Sequence, residues 1–193
     1  MATEILESPV ATATQTGESS WTIDAIHSSV NFSIRHMVFA NARGSFTKFD
    51  SKLNLNSNDI AKSYVEATID TSSITTNTAD RDTHLKSPDF FDVEKFPEIK
   101  FISKNFEKTA DGLKVNGFLT IKGITKEVTL EVEGPSPELK DPWGNTKLSL
   151  SASTKINRKD FGLTWNATVE TGGLMVGEDV TLTIDAEYAK VVA

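Results

Sequence analysis

The chain has 193 residues, 27 acidic side chains against 20 basic ones, and no cysteine. A net charge of −7 argues against a nucleic-acid partner, because such binding depends on clustered Lys and Arg that displace counterions. Without thiols, disulfides, thiolate catalysis and Cys-rich metal sites are excluded. Hydrophobic residues make up 38% of the chain, which is ordinary for a folded protein, and the length fits one domain.

Residues 1–20 are predicted to form a flexible tail, followed by a single domain over residues 21–193. The tail is rich in Thr, Ala, Ser and Glu and has no periodicity. It lacks the basic start and apolar stretch of a secretory signal, so the chain as written is expected in the cytoplasm. A longer native precursor would instead place it in the periplasm. No stretch is long and apolar enough to span a bilayer.

Eight segments alternate apolar and polar residues with a period of two, which predicts half-buried β-strands. They lie near residues 30–35, 44–55, 64–70, 99–102, 113–121, 128–133, 147–153 and 180–188. The alternation slips within residues 44–55, which predicts a β-bulge there. Lys122-Gly123 predicts a tight hairpin between the fifth and sixth of these strands.

Helical signals are confined to residues 76–96. Asn77 or Thr78 is suited to cap a short helix that runs through Leu85, and Ser87-Pro88 is suited to open a further turn. Strands with one apolar face need either two packed sheets or one sheet closed into a barrel. The periodicity alone fits both, since each arrangement buries one face per strand.

Several motifs resemble those of the YceI-like family of polyisoprenoid-binding proteins, and together they extend from residue 21 to residue 190. They are Trp21–Asp24 with His27-Ser28, Phe32–Met37, Arg43–Phe46, Arg81–Leu85 with Ser87–Asp92 and Phe96-Pro97, Gly117–Lys126, and Arg158–Gly162.

The resemblance implies an all-β fold: a lipocalin-like, extended eight-stranded antiparallel β-barrel with a short helical segment between strands. It implies a carrier, and no enzyme, that sequesters a polyprenyl chain such as an isoprenoid quinone or its precursor. No cofactor or metal is expected beyond the bound lipid. Some family members are dimers, so a homodimer is an expectation. Many members also carry a signal peptide, from which this chain departs.

The expected ligand site combines an apolar interior with a few polar groups. The predicted apolar lining is Phe32, Ile34, Phe46, Ile69, Phe90, Phe91, Phe101, Leu119, Ile121, Leu130, Leu148, Leu150, Trp165, Leu182 and Ile184. The candidates for contact with a polar head group are Arg35, His36, Arg81, His84 and Arg158. Guanidinium groups suit a phosphate because they offer paired donors.

Three alternatives stay open at this level. His27, His36 and His84 would form a zinc site if they converged, but their spacing does not require it, and local hydrogen bonding is the simpler interpretation. A stress-related scaffold or interaction module would have a solid core and no continuous cavity. A lipid hydrolase or isomerase would need a nucleophile or base oriented by a third group, and no such motif is present.

Overall fold

The computed structural model describes residues 17–37, 39–110, 112–168 and 174–192. In these ranges twelve antiparallel strands form one sheet that closes on itself. The strands are β1 (Glu18–Ile23), β2 (Ser29–His36), β3 (Ala40–Phe46), β4 (Phe49–Asn56), β5 (Tyr64–Asp70), β6 (Ile74–Thr75), β7 (Glu98–Lys108), β8 (Leu113–Ile121), β9 (Ile124–Glu133), β10 (Leu139–Lys140), β11 (Thr146–Asn157) and β12 (Val176–Lys190).

Three walls of the barrel are each made of two consecutive strands separated by a short break. β1 and β2 both pair with β12, and their other edges pair with β4 and β3. β5 and β6 then continue along β4 and β3. With β7, β8, β9, β11 and β12 as the other walls, the described chain forms an eight-stranded antiparallel barrel. The predicted fold is confirmed.

Two ladders on β11 close the barrel. On one side, Lys147–Asn157 pairs with Asp179–Ala189 of β12 along nearly the whole strand. On the other side, Ser151–Ser153 pairs with Glu131–Glu133 of β9. Because β9 continues through β8 and β7 to β5, these ladders complete the ring.

Local sequence features explain the turns at which the walls bend. Lys122 and Gly123 have φ values of 51° and 74°, and two positive values at the centre of a two-residue loop suit the twist of a β-hairpin. This confirms the predicted hairpin between β8 and β9. Where a β-bulge was predicted, Thr47 and Lys48 instead form a break between β3 and β4, and both residues bond Ser73.

One α-helix, α1 (Ala79–Lys86), lies in the described chain, within the region predicted to be helical. A 3₁₀ turn at Arg158–Phe161 follows β11 and leads into an irregular segment. No helix in the described ranges has the length and apolar character needed to cross a bilayer.

The barrel begins earlier than the sequence predicted. Glu18, Ser19 and Ser20, which were assigned to the tail, form half of β1 and pair with Asn54–Asn56 of β4. The alternation of this short polar segment is too weak to reveal a strand, and pairing with a neighbour defines it. The prediction of a tail over residues 1–16 lies outside the described residues.

Trp21 anchors the barrel from the middle of β1. Its side chain is 1% exposed and belongs to the main apolar cluster, and its Nε1 donates to Ser19 Oγ at 2.8 Å. The ammonium of Lys190 lies 5.2 Å from the ring centroid. These contacts join β1 to the end of β12.

We expect Trp21→Ala to lower the free energy of unfolding by about 3–5 kcal/mol, because it removes a fully buried indole from the core. Trp143→Ala is the matched control, since Trp143 is 83% exposed, and it should change stability by less than about 0.5 kcal/mol. Urea unfolding of both variants measures the difference. Equal losses would contradict the assignment of Trp21 to the core.

Candidate ligand-binding cavity

The interior of the barrel encloses a cavity of about 560 Å³ with an almost entirely apolar wall. Inward-facing side chains from β1–β5, β7–β9, β11 and β12 contribute to this wall. The volume falls within the range of small-molecule binding sites, about 300–1,000 Å³. The core therefore does not fill the barrel.

Inward side chains on neighbouring strands remain only half-buried although they face the interior. They are Val30, Phe32 and Ile34 of β2, Val128 and Leu130 of β9, Leu150 of β11, and Val180, Leu182 and Ile184 of β12. In a solid core such side chains would be buried, because protein interiors pack about as densely as organic crystals. Their partial exposure shows that they face open space.

The short ladder between β9 and β11 helps to create that space. It covers only Glu131–Glu133, so the earlier part of β9 is not tied to β11 in this ladder. Val128 and Leu130 on β9, and Thr154 and Ile156 on β11, line the cavity on the two sides of this divergence. The separation of the two strands widens the interior beside these residues.

An aromatic cluster lies against one end of the cavity, between α1 and the segment that follows the 3₁₀ turn. The ring centroid of Trp165 lies 4.7 Å from that of His84 and 5.3 Å from that of Phe90. Phe46 and Phe91 form an edge-on pair with centroids 5.8 Å apart. These side chains give the end of the cavity an aromatic surface.

Arg81 lies at this end, but its Nε and Nη2 bond neighbouring residues. Its Nε donates to Thr76 Oγ1 at 2.7 Å, and its Nη2 donates to Thr76 O and Thr78 Oγ1, both at 3.1 Å. Thr76 in turn donates to Asp82 through its backbone N–H. Arg81 therefore fastens α1 to the segment before it.

Arg158 is a buried cation, with 3% of its surface exposed. Its Nε donates to Gly177 O at 2.8 Å, and its Nη1 donates to Leu163 O at 2.5 Å and to Trp165 O at 2.8 Å. Burial lowers the pKa of Arg158, and the nearby Glu178 opposes this shift. The guanidinium holds the segment that carries Trp165 against the start of β12.

A polar pair lies deeper in the wall. The hydroxyls of Ser51 and Tyr188 are 2.8 Å apart, and Ser51 Oγ also donates to Glu66 O at 2.9 Å. Burial raises the pKa of Tyr188. This pair is satisfied by its own bonds.

The structure places almost all predicted apolar site residues on the cavity wall: Phe32, Ile34, Phe46, Ile69, Phe90, Phe91, Phe101, Leu119, Ile121, Leu130, Leu150, Trp165, Leu182 and Ile184. Leu148 is the exception. It is 2% exposed and packs in the core without lining the cavity, because the side chains around it close that end of the barrel.

Four of the predicted polar residues, His36, Arg81, His84 and Arg158, also line the cavity. Arg35 does not. It is exposed on the outer face of β2, because the two-residue period turns it away from its inward neighbours Ile34 and His36.

Sequence reasoning missed further wall residues with the same inward phase, including Val65, Ala67, Val115, Val128 and Val180. Their alternation was visible in the sequence. Which inward residues face open space depends on how the walls close, and periodicity does not report that.

The three histidines do not gather into one metal site within the described chain. The only group there with three suitable ligand atoms within 4.8 Å of one another contains Asp24, His27 and Glu187, and neither of the other histidines. Lys147 Nζ bonds Asp24 and lies 3.1 Å from Glu187 Oε1. One ammonium group therefore already pairs with both carboxylates.

Residues 21–188 match the model of the YceI-like domain. The chain belongs to the YceI-like family. It is 38% identical over 171 residues to the UPF0312 protein SAS2572 of Staphylococcus aureus, covering 89% of this chain and 98% of that protein.

Solved YceI-like structures share the barrel. The YceI protein of Campylobacter jejuni superposes with a TM-score of 0.69 at 29% identity, over 82% of this chain and 91% of that one. Burkholderia cenocepacia BcnA has a TM-score of 0.73 at 21% identity, over 86% of this chain and 98% of that one. A polyisoprenoid-binding domain from Saccharophagus degradans has a TM-score of 0.63 at 14% identity, over 90% of this chain and 99% of that one. The last two likenesses concern the fold alone.

The ion cluster on this YceI-like barrel predicts a pH effect. The bonds from Lys147 and then from His27 hold the pKa of Asp24 well below its usual range. Asp24→Asn should therefore destabilise the protein at pH 7, by about 1 kcal/mol. Below pH of about 4 the unfolded state takes up the Asp24 proton first, so the stability difference should shrink as pH falls.

Urea unfolding of the wild type and Asp24→Asn between pH 3 and 7 measures how the difference in their unfolding free energies changes with pH. Asp59→Asn is the control, because Asp59 lies on the surface with Lys62 as its only ion-pair partner in the described chain. A stability difference for Asp24→Asn that stays constant over this pH range would contradict the account.

Proposed function

We propose that this protein binds a long-chain apolar lipid inside the barrel, an isoprenoid such as a quinone or its precursor, and sequesters or carries it. The cavity of about 560 Å³ with its almost entirely apolar wall carries this proposal. A sugar or nucleotide would lose its hydrogen bonds to water in such a cavity and regain few of them. An alkyl or prenyl chain forms no hydrogen bonds to water, so it would lose none on entering the cavity.

Apolar burial is sufficient to hold such a ligand. Each Å² of apolar surface removed from water contributes about 25 cal/mol, so an enclosed chain binds with few polar contacts. Branched and aromatic side chains such as Ile184, Leu182 and Phe32 make the surface of the cavity wall uneven. The width and depth of this surface then determine which lipid chains fit.

The comparisons support the same ligand class. A solved relative of this fold is described as a polyisoprenoid-binding domain, and the chain belongs to the YceI-like family. Transfer of the ligand from that protein to this one is part of the proposal. A homodimer, which family resemblance implied, stays a prediction.

The two other hypotheses have less support. A scaffold with a solid core predicts a filled interior, whereas this barrel holds a cavity. A hydrolase or isomerase needs a base that activates a nucleophile. The hydrogen bond of His84 goes to Asp89 at 3.0 Å, and within the described chain no hydroxyl bonds the ring of His84 or His36.

A bulky side chain inside the barrel should block the ligand. Leu182 lines the cavity, and Leu182→Trp places extra apolar volume there while keeping the wall apolar. We expect this variant to fold and to bind solanesol, a long-chain polyprenol, at least about tenfold more weakly than the wild type, a loss of about 1.4 kcal/mol. Titration without detergent, read out by co-elution and by the rise in melting temperature, measures the affinity.

Thr183→Trp is the matched control, because Thr183 is the next residue along β12 and is exposed on the outer face. It should bind like the wild type. Equal binding by both variants, or failure of the wild type to bind any long-chain isoprenoid, would contradict a site inside the barrel.

A further inference from the structure

Three exposed apolar side chains lie together at one end of the barrel. Met37 and Phe39 belong to the turn between β2 and β3, where Phe39 is 90% exposed. Leu174, also exposed, precedes Met175, whose carbonyl accepts the backbone N–H of Met37 at 2.9 Å. We call Met37, Phe39 and Leu174 the apolar tip. Large apolar side chains exposed together mark surfaces that meet another molecule or a membrane.

The apolar tip adjoins the end of the cavity that carries Trp165. His36 and Met175, each next in the chain to a residue of the tip, both line the cavity. Asn166, which follows Trp165, donates to Val176 O at 2.7 Å. A surface that contacts the tip therefore lies beside this end of the cavity.

The hairpin that carries the tip is basic, although the chain as a whole is acidic. Residues 25–49 contain no Asp or Glu, while the whole chain has 27 of them. Arg35 and Arg43 are exposed on the outer face of β2 and β3. Arg35 pairs with Asn41, and Ser33 pairs with Arg43, so the two arginines are diagonal neighbours on that face.

The carboxylates of β12 beside this hairpin are paired with other cations. Gly177 packs against Arg35, and the next two residues, Glu178 and Asp179, form ion pairs with Lys159 and Lys155. Within the described ranges, Arg35 takes part in no ion pair, and neither does the other arginine of the hairpin. Two exposed guanidinium groups beside the tip are thus available to an anion outside the protein.

We propose that the apolar tip, Arg35 and Arg43 form a docking surface for a membrane that contains anionic lipids. The tip enters the boundary between head groups and acyl chains, and the two guanidinium groups bind head-group phosphates, for which their paired donors are suited. Apolar burial and attraction to anionic lipids add in such binding. The biological reason rests on the proposed function: docking brings the end of the cavity to the membrane, where water-insoluble lipids are found.

Co-sedimentation with lipid vesicles tests this surface. One set of vesicles contains equal parts of phosphatidylglycerol and phosphatidylcholine, and the other contains phosphatidylcholine alone. We expect the wild type to bind the mixed vesicles at least about tenfold more tightly, because Arg35 and Arg43 are attracted to the anionic surface. High salt should reduce this preference, since it screens exposed charges.

A matched pair of variants tests the apolar tip. Phe39→Ser should bind the mixed vesicles at least about tenfold more weakly than the wild type, because it removes the apolar surface that enters the membrane. Trp143→Ser is the control, since Trp143 is 83% exposed and precedes β11, whose first residues pair with the far end of β12. It should bind like the wild type.

A second pair of variants tests the charge. Arg35→Gln/Arg43→Gln should lose most of the preference for anionic vesicles. Lys62→Gln/Lys114→Gln removes the same amount of positive charge elsewhere on the surface and should keep the preference. Unchanged melting temperatures would show that the variants are folded.

The wild type alone is able to overturn the proposal: failure to bind the mixed vesicles, or equal binding of both vesicle types, would do so. Equal losses in Phe39→Ser and Trp143→Ser would overturn the role of the tip. The vesicles contain no isoprenoid, so these results do not depend on the cavity. Failure of the wild type to bind solanesol would count against the proposed function alone.

Discussion

The ladder between β11 and β12 is the interaction on which the barrel depends. It pairs eleven residues of each strand, Lys147–Asn157 with Asp179–Ala189, and with the short β9–β11 ladder it joins the two ends of the sheet. Closure leaves few free edges, so most backbone groups in the walls bond one another, the exception being the part of β9 before Glu131. Closure also defines an inside, toward which every second residue of each wall points.

The cavity follows from how these walls close. Trp21 and Phe161 are fully buried near opposite ends of the walls, while inward residues such as Leu130 and Leu182 face open space. Beside Leu130 the strands β9 and β11 are no longer joined by their ladder. An interior of this kind is stable without a complete core because its ends and its backbone ladders hold it.

Much of this could be predicted from the sequence, because the two-residue period fixes which side chains point inward. The strands and many of the wall residues followed from it, while capping and turn residues predicted the helix and the hairpin, and the period did not show that β1 begins at Glu18. It also did not distinguish Leu148, which packs in the closed end, from Leu150, which lines the cavity. The period turns Arg35 outward, but it did not show that Arg81 is bonded locally or that Arg158 is buried with a free donor, because these states depend on tertiary contacts.

The central claim is that the barrel holds a lipid, and protein purified without detergent tests it most directly. Native mass spectrometry, followed by analysis of an organic-solvent extract, would reveal what the barrel retains from its host. The extract should contain one long-chain isoprenoid lipid for each folded chain. Protein that carries no lipid, and that shows no rise in melting temperature with added isoprenoids, would contradict the claim.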